Sequence, residues 1–236
     1  MYKEAPMFLA IDTVFDQCSV AIVSQDLQVI SDHTETGKRD QTQQILPMID
    51  SALQQAGIKL ADITALIFNR GPGPFSGIRI NTAVIQALSV AHNIPCVGVS
   101  SLAAIAQAAF DKQGVQQVYA ALDARMKQVY FGEYQLAQMQ GTPDVQVMTQ
   151  VEGSEERLVD YDQSTDKALP IAGNGATLLH AVEDQPLFAE IIPDAVSLAK
   201  LGIAQYLVSG GVSADQALPV YLRNNAWKTL KEQGKA

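Results

Sequence analysis

Arg70-Gly71-Pro72-Gly73-Pro74-Phe75-Ser76-Gly77-Ile78-Arg79 follows the apolar run Ala65-Leu66-Ile67-Phe68 and opens the most apolar helical stretch of the chain. Gly71, Gly73 and Gly77 mark a backbone that turns sharply or is approached closely, because only glycine reaches positive φ without a steric cost. A glycine-rich turn between a strand and a helix N-terminus is also where phosphates bind. Pro72 and Pro74 weigh the other way, since they remove two amide donors and fix φ at both positions. The stretch reads as a stiff corner first and a phosphate cradle second, and glycine spacing alone does not choose between them.

Toward the N-terminus, residues 7–12, 18–24 and 29–34 are short Val- and Ile-rich runs with polar connections, the pattern of an antiparallel meander. A helix from about Asp40 follows. Asp40 and Gln43 stand in capping-box spacing, Ile45, Ile49, Leu53 and Ala56 recur at helical period, and Gly57 is the stop. Pro47 falls inside this helix and is expected to kink it. Beyond the glycine corner come a helix to about His92, a strand over 96–99 and a helix over 102–110.

The order strand-strand-strand-helix-strand-helix-strand-helix is that of a ribonuclease-H-like unit, with a mixed sheet antiparallel early and parallel late. Two such units make the actin-like (ASKHA) α/β fold. Leu9-Ala10-Ile11-Asp12-Thr13 followed by a strand at Cys18 is echoed by Ala120-Ala121-Leu122-Asp123-Ala124 followed by a strand at Val129, six residues from acid to strand both times. A duplicated fold with an abbreviated second domain is therefore expected. Residues 1–110 form the first domain, to which a helix over 196–209 returns, residues 111–195 form the smaller one, and 221–236 is a basic tail. The polar stretch 135–166, with short strand candidates such as Val145-Gln146-Val147-Met148 and an acidic patch at Glu152, Glu155 and Glu156, reads as a solvated surface insert.

The 236 residues are 47% hydrophobic, enough for a sizeable core. A net charge of −9 gives no long-range attraction to phosphate backbones, so in RNA chemistry another subunit is expected to supply most of the contact. Cys18 and Cys96 sit in apolar runs without Cys or His at metal-ligand spacing and read as buried thiols. The N-terminus shows no secretory pattern, so the cytoplasm is the expected location. The uncharged run between Arg79 and Asp111 is broken by polar residues and reads as core, not as a membrane span.

An actin-type phosphotransferase needs an acid for Mg²⁺ and a backbone loop for the phosphates. Asp12 and Asp123 supply acids, and Gly173-Asn174-Gly175 is a second glycine turn, placed where nucleotide-binding members of the superfamily hold adenosine. The hairpin Thr13-Val14-Phe15-Asp16-Gln17 has no glycine and adds a second acid, a poor setting for a polyphosphate. His33, His92 and His180 include no metal pair on one helix face, so neither a metal site nor a catalytic residue is assigned. In the helix from Gly77 to about His92, Ile80, Val84, Ala87 and Ala91 form one apolar face, and the other sides are nearly as apolar. Such a helix must be covered on more than one side. Either the 40–57 helix covers it, or the two helices offer an apolar patch to another subunit.

Gly71-Pro72-Gly73-Pro74-Phe75-Ser76-Gly77-Ile78-Arg79 resembles the Gly-Pro-Gly-Ser-Phe-Thr-Gly-Leu-Arg signature of the bacterial TsaB (YeaZ) family of tRNA threonylcarbamoyladenosine biosynthesis proteins. Leu9-Ala10-Ile11-Asp12-Thr13, Gln43-Gln44-Ile45-Leu46-Pro47, Gly98-Val99-Ser100-Ser101-Leu102 and Pro219-Val220-Tyr221-Leu222-Arg223 resemble family blocks in the same order. The resemblance implies a non-catalytic partner that binds and activates TsaD, with the ATPase TsaE, in threonylcarbamoylation of adenosine 37 of tRNAs reading codons that begin with A. It implies docking through both helices, by Ile45, Ile49, Leu53, Arg79, Ile80, Ala83, Val84 and Ala87, and self-association through the same surface. Gly71, Gly73 and Gly77 would be structural, and Asp12, Gly173 and Gly175 are the nucleotide-contact candidates. No cofactor is implied for the chain alone, ATP or ADP is implied at the complex interface, tRNA is touched only indirectly, and no membrane is involved. Many family members carry a histidine where this chain has Gln41, and the His-x-x-x-His pair of the TsaD group is missing. The rivals are an independent ATPase or small-molecule kinase using Asp12, Asp123 and the 173–175 turn and, last for want of that pair, a metallopeptidase-like hydrolase.

Overall fold

A computed structural model describes residues 5–37, 41–140 and 145–223. The N-terminal runs form β1 (Met7–Asp12), β2 (Gln17–Ser24) and β3 (Val29–Thr36). They are followed by α1 (Gln41–Ala56), β4 (Ile63–Gly71), α2 (Phe75–His92), β5 (Cys96–Ser100) and α3 (Ser101–Gln113). The sheet runs β3-β2-β1-β4-β5. β1, β2 and β3 are antiparallel neighbours, whereas β1, β4 and β5 are parallel.

Side chains alternate across this sheet, so its two faces make two separate cores. Leu9, Ile11, Ile22, Leu66 and Phe68 pack with Ile45, Met48, Ile49 and Ala52 of α1 and Ile85 of α2. Phe8, Ala10, Ala21, Val23 and Ile67 pack with Leu198, Ala199 and Ile203 of α4 (Ala195–Ser209). Because both faces are covered, β1 and β2 are buried along their whole length.

The second sheet contains β6 (Gln117–Asp123), β7 (Gln128–Gln138), β8 (Gln146–Gln150), β9 (Arg157–Asp160), β10 (Ile171–Ala172) and β11 (Leu187–Phe188). Its order is β8-β7-β6-β10-β11, with β9 added beside β7. Antiparallel and parallel senses repeat those of the first sheet strand for strand. The actin-like duplication expected from the element order is present. The second copy is the shorter one: β10 and β11 have two residues each, and a single 3-10 turn, Ala176–Leu178, stands between them. α3 packs chiefly on β6, β7 and β8, and α4 on β1, β2, β4 and β5, so the last helix of each copy covers the sheet of the other.

Three expectations need correction. The stretch 135–166 is no solvated insert, because β7, β8 and β9 make it part of the sheet and Met139, Val147 and Met148 are buried. Glu156, read as part of a surface acidic patch, accepts hydrogen bonds from Ser100 Oγ and Tyr134 Oη. Ile45 and Ile49, read as docking residues, point into the core. The physical reason is that a helical stripe at four-residue spacing gives a face but no direction, and the sheet takes the most apolar stripe first. Asp40, the expected cap, lies outside the described residues.

Gly202 marks the closest approach of α4 to the sheet, since a Cβ there would sit 2.4 Å from Ile67 Cγ2. Replacing a mid-helix glycine by alanine ordinarily gains ~1 kcal/mol. Overpacking a core costs about 1–3 kcal/mol. Urea unfolding of Gly202→Ala is therefore expected to show a net loss of up to roughly 2 kcal/mol, opposite in sign to the helix-propensity effect.

Candidate functional site

The amphipathicity of α2 runs against the usual sense. Its core face holds Gly77, Ile78 and Ile85, but also Asn81, Thr82 and Ser89. Each inward polar residue donates to a backbone carbonyl, Asn81 Nδ2 to Asn69 O at 2.9 Å, Thr82 Oγ1 to Ile78 O at 2.9 Å and Ser89 Oγ to Ile94 O at 2.6 Å, while Asn81 Oδ1 is buried without a hydrogen-bond partner. The outward row is Arg79, Ala83, Ala87, Val90 and Ala91, with Ile80 and Val84 half-buried along its edge. Val90 is 75% exposed, and Leu46 on α1 is 55% exposed. The Arg79 guanidinium carbon lies 3.4 Å from the centre of the Phe75 ring at the start of the helix. Of the expected docking residues, Arg79, Ala83 and Ala87 face solvent, Leu53, Ile80 and Val84 are partly covered, and Ile45 and Ile49 are covered altogether.

The glycine corner is packed against protein atoms. Gly71 has φ +93 and donates its N–H to Asn69 Oδ1 at 2.9 Å. A Cβ on Gly73 would fall 2.5 Å from Val14 Cγ1, and one on Gly77 would fall 2.2 Å from the Thr13 carbonyl oxygen. Thr13 Oγ1 donates to Gly77 O at 2.8 Å and clamps the helix start onto the β1–β2 hairpin.

Asp12 ends β1 in a buried polar knot. One carboxylate oxygen accepts from Val14 N at 2.7 Å and the other from Asn69 Nδ2 at 3.0 Å, while Asn69 Oδ1 also accepts from Ser101 Oγ at 2.7 Å. Burial pushes the Asp12 carboxyl up to about 7, the Asn69 and Val14 donors oppose the rise, and the charge of Asp194 adds to it.

Between the two copies opens a cleft of about 420 Å³, lined by Phe15, Gln41, Ser76, Asp123, Tyr130 and Asn174 among others. Asp12 does not line it and is fully buried. Gly173 and Gly175 are taken up by internal packing as well: a Cβ on the first would meet Ala121 O at 2.4 Å, and one on the second Ala121 C at 2.8 Å. The three nucleotide-contact candidates thus hold the fold together, and the polar groups that line the cleft include Asp123, the intervening Asn174, Thr13, Asp16, Gln41, Ser76 and Arg125. Asn174 Oδ1 accepts from Asp123 N at 2.9 Å, and Asp123 accepts from Tyr161 Oη and Arg125 N, each at 2.8 Å. Sequence reasoning passed over Asn174 because a glycine-flanked asparagine reads first as a turn residue. Gln41 donates to Phe15 O at 3.1 Å and Gln17 O at 2.9 Å, tying the start of α1 to the hairpin.

Cys18 and Cys96 are buried free thiols; burial, with the charges of Asp12 and Glu35, pushes Cys18 up to about 11, and burial raises Cys96. Among the described residues, no group of three or more His, Cys, Asp or Glu side chains could hold a metal ion. None of the described helices is long and apolar enough to cross a membrane. Of the basic tail, only residues 221–223 are described.

Comparison with known proteins agrees with this architecture. The family model for TsaD, tRNA N6-adenosine threonylcarbamoyltransferase, matches residues 28–229. The chain is 35% identical over 231 residues to the tRNA threonylcarbamoyladenosine biosynthesis protein TsaB of Escherichia coli, covering 94% of this chain and 97% of that one. The TsaB protein of Haemophilus influenzae is 32% identical over 229 residues, covering 94% and 96%. The solved structure of YeaZ from Pseudomonas aeruginosa superposes with a TM-score of 0.80 at 35% identity, covering 92% of this chain and all of that one.

The Asp12 knot carries a prediction. The folded value, about 7, lies above the ordinary 3.8, so the folded state holds the proton more tightly. The stability from this group is full below pH ~4 and is lost as pH rises through about 7, by roughly 4 kcal/mol at most. Urea midpoints are expected to fall between pH 5 and 8 in the wild type, with a shallower slope in Asp12→Asn.

Proposed function

The chain belongs to the TsaB family, and from that premise we propose that it serves tRNA threonylcarbamoylation as a non-catalytic partner. In this reading it binds and activates TsaD, with the ATPase TsaE, while the threonylcarbamoyl group is placed on adenosine 37 of tRNAs reading codons that begin with A. The chemistry belongs to TsaD.

The observation that carries the reading is the inverted face of α2. Asn81, Thr82 and Ser89 turn inward, leaving Ala83, Ala87 and Val90 in water, and Leu46 of the neighbouring α1 is exposed as well. Small side chains let a second helix approach closely, and Val90 and Leu46 supply apolar area that burial would stabilise at ~25 cal/mol per Å². Arg79 and Phe75 stand at the rim. A second copy of this chain could occupy the same row, so a homodimer would compete with the heterodimer by mass action. A non-catalytic role is supported by Asp12, because the acid that an actin-type site would offer to Mg²⁺ is sealed from the cleft. ATP or ADP, if used, would sit between the two proteins. The cleft keeps one rival alive, an independent ATPase or small-molecule kinase working from Asp123 and Asn174.

The experiment is size-exclusion chromatography with light scattering on the chain alone and mixed with TsaD, with ATP turnover read from each peak. A heterodimer whose isolated partner is inert toward ATP supports the proposal, whereas turnover by the isolated chain, lost in Asp123→Asn, supports the rival. Ala83→Glu and Ala87→Arg are expected to melt within a few degrees of the wild type, because both positions are exposed. They are expected to weaken TsaD binding by roughly tenfold or more, ~1.4 kcal/mol. Heterodimer formation at wild-type affinity by both variants would sink the docking assignment.

A further inference from the structure

We propose that the corner where the β6–β7 hairpin tip, the start of α2 and residues 220–223 meet is an RNA-docking surface for single-stranded or loop RNA. The inference rests on the reading that the chain serves tRNA modification, and it departs from the expectation that tRNA is touched only indirectly.

The tip is built in an uncommon way. Arg125, Met126 and Lys127 have φ of 60, 54 and 61 in succession, and none is glycine. Left-handed backbone at three consecutive side-chain-bearing residues is costly and persists only where the surroundings over-determine it. Here Ala124 N donates to Gln128 O at 2.9 Å, Gln128 N to Arg125 O at 3.0 Å, and Arg125 N to the Asp123 carboxylate at 2.8 Å. The result projects all three side chains into solvent, and Met126 is 73% exposed.

Two further segments are fastened to the tip. The Arg223 guanidinium donates to Ala124 O at 3.1 Å and Arg125 O at 3.3 Å, and it reaches Met126 Sδ. Val220 N donates to Arg70 O at 2.8 Å, which holds this segment against the glycine corner. Tyr221 between them is exposed, with its ring centre 6.1 Å from that of the exposed Phe75, over which Arg79 lies. Two exposed rings, Tyr221 and a Phe75 covered on one face by Arg79, are thus set beside the surface cations Arg79, Arg125 and Lys127 and the half-buried Arg223.

The nearby acids are Asp123, paired with Arg125 at 3.0 Å, Asp16 on the facing wall of the cleft, and the exposed Asp160 and Asp162, which flank Tyr161, whose N–H donates to Lys127 O at 2.9 Å. Cations and acids thus balance at this corner, within a chain total of −9. In sequence the chain continues from Arg223 through Lys228, Lys231 and Lys235 against a single Glu232. Cations bind phosphates without regard to sequence. Exposed rings and guanidinium planes stack unpaired bases, the usual means by which loop RNA is held. An acidic protein would use the cations but leave the rings without a purpose. The surrounding negative charge keeps the patch weak in isolation, so its contribution is made beside TsaD.

The test is fluorescence anisotropy of a labelled, unmodified tRNA transcript carrying adenosine 37, titrated with the chain–TsaD complex at several salt concentrations. Lys127→Gln, Arg223→Gln and Tyr221→Ala are compared with Lys59→Gln, an exposed lysine near the opposite end of β4. Weaker binding is expected for Lys127→Gln and Arg223→Gln, with the slope of log affinity on log salt shallower by about 0.7–0.9 for each cation removed. Tyr221→Ala is expected to weaken binding at unchanged slope, and Lys59→Gln to bind as the wild type. Wild-type affinity and slope in Lys127→Gln, whose side chain holds no part of the fold, would overturn the proposal. Loss of TsaD from the complex with unchanged tRNA binding would identify a protein-docking face and overturn it as well. If no complex with TsaD forms, the functional reading fails separately, and the same titration of the chain alone decides the patch.

Discussion

A methyl group on residue 77 would fall 2.2 Å from the Thr13 carbonyl oxygen, so α2 can begin only with a glycine pressed against the β1–β2 hairpin. Thr13 Oγ1, donating to Gly77 O, closes the contact from the other side. Together they set the rotation of α2 about its own axis. Asn81 is then carried under Asn69, and Thr82 and Ser89 turn toward the sheet, where each finds a backbone acceptor. Ala83, Ala87 and Val90 are left outside by the same rotation. Buried polar groups cost little when they are hydrogen-bonded, so the fold tolerates a polar inner face and an apolar outer one.

The two copies have put one strand-end carboxylate to different uses. Asp12 at the end of β1 is enclosed by Val14 N and Asn69, and Ser101 links the same knot to the start of α3. Its counterpart Asp123, at the end of β6, keeps its place in the cleft wall and is held by Tyr161, Arg125 and Asn174. Burial without a cation makes the first a structural group with a raised pKa. The exchange of helices, with α3 on the second sheet and α4 on the first, means that neither copy has a complete core alone. Packing rather than a linker therefore sets the cleft between them.

The start of α2 borders two surfaces of different character. Along the helix lies the apolar row, and at its first turn Phe75 and Arg79 join Tyr221 and the hairpin tip. The glycine corner serves both, since Arg70 O anchors Val220 while Gly77 seats the helix.

Much of the fold was legible in the chain because it rests on local chemistry. The Val- and Ile-rich runs, the glycine corner and the repeated acid-to-strand spacing gave the element order, and the order gave the duplicated sheet. Within 135–166 the strand candidate at 145–148 is β8, but β8 and β9 are short and pair with β7 at a distance, so nothing local marks the stretch as part of a sheet. The direction of each helix face was not written in the sequence either. Ile45 and Ile49 sit at the same period whether they meet a sheet or a partner, and Ala87 suits a covered face and a docking face equally until Gly77 fixes the rotation of its helix. The burial of Asp12 and the left-handed tip at Arg125, Met126 and Lys127 depend on contacts between distant segments, with Asn69 in one case and Arg223 in the other. The sequence by itself determined which elements form and in what order, through propensity and period; only the tertiary structure decided which groups face water, because burial is settled between segments far apart in the chain.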